Sequence, residues 1–286
     1  MKKNADSLLF VVEGEKREKD LFRFISNAFF TRPVGIVPIT VPAEMNIYML
    51  YGILKADGFY TDIVEILREQ VPGAEEKLQG YSRDDFSGVY LFFDFDEQAN
   101  NIEKGTDEDY RNALLEMVDF FRDPTEEGKL YLSYPMIEAF RDFQSDSCVA
   151  ANGRCYIMRD AFEDYKKLSS SSPFQQVKKY TFPIWKMMSV SYARRVCCLF
   201  HLTEINRESF LRIASQKAIL EEQLRYLAKG RCVFVLSSLP AFLIDYSEKN
   251  YEALIGRMRR PNLVRNCQRK PPTKENEGTS EMNSKK

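Results

Sequence analysis

The chain has 286 residues, 44% hydrophobic and 13% aromatic, and its 41 Lys and Arg nearly balance 42 Asp and Glu, for a net charge of −1. That composition excludes wholesale disorder and a generally basic, histone-like binder, while leaving room for a local basic patch. At roughly 100–200 residues per domain, the length fits one large domain or two small ones.

Residues 7–13 (SLLFVVE) form a short apolar run that stops at Gly14 and reads as a buried strand. Residues 16–30 set Leu21, Phe22, Phe24, Ile25 and Phe29 among charges, the pattern of an amphipathic helix. Residues 35–41 (GIVPITV) are a second strand, weakened by Pro38. Residues 46–55 and 60–71 read as helices, and 88–95 (GVYLFFDF) carry the strongest strand signal in the chain. A helix follows over 107–122 through Tyr110, Leu114, Leu115, Val118 and Phe121, then a strand over 128–134 (GKLYLSY). Pro135 is placed to open a helix around MIEAFRDF. This alternation predicts an α/β fold with a parallel sheet flanked by helices over residues 1–145.

The next region, 146–262, reads as mainly α-helical. Its clearest helix is 208–228, ending at Gly230, and 232–237 (CVFVLS) fits either a late strand or the start of a buried helix. The polar stretch 166–173 reads as a loop or hinge. Residues 263–286 make a polar, basic tail; from 269 onward Met282 is its one apolar residue, which predicts disorder.

No apolar run approaches the roughly 20 residues of a membrane span. The apolar stretch Leu8–Val12 is too short for a signal peptide and Glu13 interrupts it, so the expectation is a cytoplasmic protein. Six cysteines are too few for a disulfide scaffold, and Cys148 and Cys155 are too widely spaced for a zinc knuckle. The single histidine, His201, lies in an apolar context and reads as a packed or partly buried residue. Its solitude counts against a Ser-His-Asp triad or a histidine-based zinc site. Enzymatic chemistry, if present, then rests on carboxylates, lysines or a metal held by oxygen.

Acidic residues fall where the predicted strands end. Glu13 closes the first, Asp94 and Asp96 close the third, and Glu138 follows the fourth. Ligands of open parallel sheets bind outside the carboxyl ends of the strands. Carboxylates gathered there repel one another unless a cation sits among them. Mg²⁺ or Mn²⁺ suits an all-oxygen donor set and stabilises charge on a scissile phosphate. Strand alternation turns Asp94 and Asp96 to one side and Phe95 into packing.

Glu-Gly at the end of one apolar strand and Asp-x-Asp at the end of a later one resemble the TOPRIM domain of topoisomerases, primases and OLD-family nucleases, over residues 5–145. The resemblance implies that Glu13 is a general acid/base or metal ligand and that Asp94 and Asp96 hold Mg²⁺. Glu97 and Glu138 rank behind them as further ligands; a glutamate at the latter position is not part of the general TOPRIM signature. The stretches NIYMLYGIL and KLYLSYPMIEAF, followed by a helical half, are similar to the RloB-like and AriB-like nucleases of bacterial phage defence. That likeness implies a DNA or RNA substrate, tRNA included, an ABC-type ATPase partner and a homodimer.

Basic residues near the motif, Lys16 and Arg17, and a denser group at Arg257, Arg259 and Arg260 are candidate contacts for a nucleic-acid backbone. Taken singly, such residues also suit a solvated surface. Arg194 and Arg195 sit within an apolar helical pattern and are expected to pair with buried acids. Two other functions share the acidic pattern. One is a phosphatase or phosphotransferase with Asp94 as nucleophile, although DFDEQAN lacks the threonine that class carries after its pair. The other is a TOPRIM-like regulatory or ATPase-binding subunit without catalysis.

Overall fold

The computed structural model describes residues 7–14, 25, 29, 35–42, 45–95, 106–144, 147–150, 152–202 and 207–256. Within these, the chain forms two compact units. One runs to Ile137 and includes Gln176–Phe182; the other holds Glu138–Gln175 and the chain from Pro183. The sequence expectation divided the chain at 145/146; the compact units divide at 137/138, and the chain passes between them three times.

The first unit is built on a five-stranded sheet of β1 (Ser7–Glu13), β2 (Gly35–Val41), β3 (Gly88–Asp94), β4 (Arg122–Asp123) and β5 (Gly128–Ser133). Their order is β2-β1-β3-β5-β4. All pairings are parallel except that of β4 with β5. The expected parallel α/β sheet is therefore present, and the short antiparallel edge strand β4 was not anticipated. Two residues carry too little pattern to show.

β1 and β3 are interior strands covered on both faces, which is why each reads as an unbroken apolar run instead of an alternation. On one face Phe10 packs edge-on to Tyr90 and Phe92 at 5.5 and 5.7 Å, and Phe92 stacks on Tyr131 at 5.6 Å. Pro38 is tolerated because β2 is an edge strand.

Between β2 and β3 lie helices α1 (Ile47–Ala56), α2 (Ile63–Gln70) and α3 (Ala74–Leu78); α4 (Asp107–Phe120) follows β3. Asn46 and Asp62 start α1 and α2 by accepting the first exposed backbone N–H groups. Thr106 and Asp109 close a reciprocal capping box on α4. Asp62→Ala is expected to cost about 1 kcal/mol, read as a lower urea midpoint with unchanged slope.

α1 meets α4 through Tyr48 against Tyr110 at 5.6 Å, and Tyr51 and Lys55 both donate to the Glu116 carboxylate. The Lys55 ammonium holds the Glu116 carboxyl below its ordinary range. A depressed acid stabilises the fold above its unfolded pKa and loses that contribution as pH falls through the folded value. The difference in urea midpoint between wild type and Glu116→Gln is therefore expected at pH 7 and expected to vanish in acid.

One sequence expectation meets a different structure here, and another lies mostly outside the described residues. Pro135 opens only a 3₁₀ turn, Ile137–Phe140, instead of a full helix. Of the helix expected over 16–30, only Ile25 and Phe29 fall among the described residues.

The second unit contains a two-stranded antiparallel pair, β6 (Tyr156–Met158) and β7 (Cys232–Phe234), and helices α5 (Tyr165–Ser169), α6 (Phe182–Leu199), α7 (Arg207–Ile213), α8 (Gln216–Gly230), α9 (Ser238–Tyr246) and α10 (Glu248–Leu254). Phe182, the first residue of α6, belongs to the first unit. The helix expected over 208–228 is two helices, because the Ser215 hydroxyl accepts the Ala218 N–H and starts a new one. Arg231, and not Gly230, takes the left-handed position at its end, with φ 50°. Gln223 explains why 232–234 is a strand. Its side chain donates to the Phe234 carbonyl and accepts the Phe234 N–H, both at 2.8 Å, fixing that backbone in the core.

The loop expected over 166–173 begins with α5, and Ser169, Ser170 and Ser171 at and just past its end bond back to the preceding turn. His201 is exposed and not packed; it lies past the end of α6 with φ 54° and its Nε2 bonds the Tyr226 hydroxyl. Among the described residues no helix is long and apolar enough to cross a membrane. The expected tail, 263–286, lies outside the described residues.

Candidate active site

The chain runs from β1 outward to β2, then returns across β1 to place β3 on its other side. The order therefore reverses between β1 and β3. At such a switch point the connections leave in opposite directions, opening a crevice at the carboxyl ends of the two strands. Glu13 ends β1 and Asp94 ends β3. The register pairs Val12 with Phe92, so the two acids are offset by one residue along adjacent strands.

They are joined directly. The Glu13 Oε2 accepts the Asp94 backbone N–H at 3.0 Å. A hydrogen bond across 81 residues of chain fixes the Glu13 carboxylate at the rim, beside the residue it was expected to join. Both residues are partly exposed. By strand alternation Glu13 and Asp94 leave the sheet from opposite faces, and it is the length of the glutamate that carries its carboxylate across to the β3 backbone.

The neighbouring residues hold this corner still. Gly14 has φ 113°, a conformation that glycine takes readily, and its N–H bonds the Val41 carbonyl at 3.1 Å. The glycine of the Glu-Gly pair thus turns the chain off the sheet, while the glutamate supplies the polar group. Beyond Asp94, Phe95 is buried as expected, with its ring 5.1 Å from that of Tyr134. The Phe95 N–H bonds the Ser133 carbonyl at 2.9 Å, and its own carbonyl accepts the Tyr48 hydroxyl at 3.4 Å.

Ser133 and Tyr48 were not singled out from sequence. Ser133 is the register partner of Asp94 on β5, so its side chain leaves the same sheet face, and it is fully buried. Only strand order reveals this, since nothing in SYP distinguishes it from an ordinary strand end. Tyr48 sat in view as part of a helix but without a partner to give it meaning.

The remaining candidates separate. Asp96, Glu97, Lys16, Arg17, Arg257, Arg259 and Arg260 lie outside the described residues. Glu138 belongs to the second unit, where it is largely buried and its carboxylate faces Arg141 at 3.8 Å and Lys166 at 3.7 Å. These ion pairs give Glu138 a structural role of its own. Arg195 also departs from expectation: it is buried and donates to main-chain carbonyls.

Glu13 and Asp94 bring carboxylate oxygens to the ends of adjacent strands, the donor type that Mg²⁺ and Mn²⁺ prefer. The residues present therefore fit a divalent cation of that class. Comparison with protein-family models, with curated proteins and with solved structures finds no match to this chain.

Proposed function

We propose that the chain is an Mg²⁺- or Mn²⁺-dependent phosphodiesterase acting on nucleic acid, with Glu13 and Asp94 at its centre. The observation that carries this reading is the bond between the Glu13 carboxylate and the Asp94 N–H at the β1/β3 switch point. The resemblance to TOPRIM nucleases gives it the finer form: an endonuclease of DNA or RNA, tRNA included, serving as effector of a bacterial anti-phage system with an ABC-type ATPase partner.

In this reading Glu13, Asp94 and Asp96 would hold the cation, with Glu97 as a further candidate. When bound, the cation supplies Lewis-acid polarisation of the scissile phosphate. Glu13, oriented by its bond to the β3 backbone, takes a proton from the attacking water and later returns one to the leaving oxygen. Asp94 contributes fixed negative charge that draws the cation to the rim. Lys16, Arg17, Arg257, Arg259 and Arg260 are assigned to the polyanion backbone.

The test uses the purified full chain with supercoiled plasmid, single-stranded DNA and tRNA. Each is incubated with Mg²⁺ or Mn²⁺ and, in parallel, with excess chelator. Cleavage of at least one substrate, stopped by chelator, is expected. Cleavage that persists undiminished in Glu13→Gln and Asp94→Asn proteins would falsify the assignment.

A further inference from the structure

Three cysteines that are scattered in the sequence converge in the second unit. The thiol sulfurs of Cys148, Cys155 and Cys198 all lie within 4.8 Å of one another. Spacing alone counted against a metal there, because no Cys-x-x-Cys pair announces it. The fold supplies what spacing does not.

Cys155 directly precedes β6, and its carbonyl accepts the Val235 N–H at 3.0 Å, which ties it to the end of β7. The loop between Cys148 and Cys155 is held tightly, with Ala150 N–H on the Arg154 carbonyl at 2.8 Å and the Asn152 amide on the Tyr156 carbonyl at 3.0 Å. Arg195 of α6 fastens the loop to that helix through the Cys148 carbonyl at 2.9 Å. Cys198 stands on α6 one turn further along. Two sulfurs therefore come from the loop and one from the helix, and a buried arginine bridges the two elements.

We infer that Cys148, Cys155 and Cys198 form a binding site for a thiophilic divalent cation of the zinc class. A Zn–S bond of about 2.3 Å sets tetrahedral sulfurs about 3.8 Å apart, so the group needs to contract by no more than about 1 Å. A disulfide instead draws one pair to about 2.05 Å and leaves the third sulfur out. An all-thiol set rejects Mg²⁺ and Mn²⁺, so this site is chemically distinct from the strand-end acids. Cys148 and Cys155 are buried and Cys198 is partly exposed, which leaves the fourth tetrahedral position to a solvent molecule on that side. Three thiolates and a dication carry one net negative charge, and Arg195 brings a buried positive charge to the same loop. Binding releases the three thiol protons to solvent.

Metal analysis of the purified full chain, together with a Co²⁺ titration, tests the site without reference to any nuclease activity. One zinc per chain is expected, and Co²⁺ is expected to give the near-ultraviolet absorption of thiolate-to-cobalt charge transfer. Each of Cys148→Ser, Cys155→Ser and Cys198→Ser should weaken Zn²⁺ binding by at least about tenfold, the effect already seen for residues one layer outside a metal. Cys232→Ala removes a buried thiol that stands outside the group, and it should keep the full metal content. Absence of stoichiometric zinc with no charge-transfer band, or unchanged zinc affinity in the triple serine protein, overturns the inference.

Discussion

Glu13→Gln is expected to lower metal-dependent phosphodiester cleavage by at least about a hundredfold, the lower range for loss of a general base. The substitution separates chemistry from folding. Glutamine keeps a side-chain oxygen that can accept the Asp94 N–H now bonded to Glu13 at 3.0 Å. It removes the charge and the basicity. Urea unfolding should therefore match wild type within about 0.5 kcal/mol, the range of changes away from special features. Asp94→Asn should behave similarly, and the double variant should be no slower than the worse single one, because residues acting as a unit are not additive. Full activity in Glu13→Gln would contradict the assignment of the base.

Arg195→Ala is expected to destabilise the protein by at least about 3 kcal/mol, since hydrogen bonds from a charged donor are worth more than neutral ones and their loss leaves acceptors buried. Arg195 is 3% exposed and donates to the carbonyls of Asp142, Cys148, Val149 and Val235. No single replacement reaches all four: Arg195→Lys keeps the charge but not the planar fork, and should recover only part of the loss. The urea midpoint measures both, and a loss below about 1 kcal/mol for the alanine protein would show that the carbonyls find other partners.

How much of this was legible in the sequence follows from where each residue's partners lie. β1 and β3 could be read because strands buried on both faces are apolar throughout, whereas Pro38 only weakened the reading of β2, whose edge position accommodates it. The caps at Asn46, Asp62 and Thr106 follow local rules. The second unit was harder. β6 spans three residues, and Ser215 interrupts a sequence whose apolar period continues across the break.

At the acidic site, sequence nominated Glu13 and Asp94 but could not give the order β2-β1-β3-β5-β4, which alone makes them neighbours. Ser133 shared that fate. Glu138 went the other way: its place after a strand suggested a ligand, whereas Arg141 and Lys166 are what it faces. The thiols of Cys148, Cys155 and Cys198 were invisible for the same reason, because they come from a loop and a helix that the fold brings together.

Diffraction at the manganese absorption edge from crystals soaked in Mn²⁺ tests the acidic centre most directly. The account predicts an anomalous peak at the β1/β3 rim, with carboxylate oxygens of Glu13 and Asp94 about 2.1 Å away, the spacing of a small hard cation. A peak bound elsewhere with that rim empty, at a Mn²⁺ concentration that supports cleavage, would contradict it.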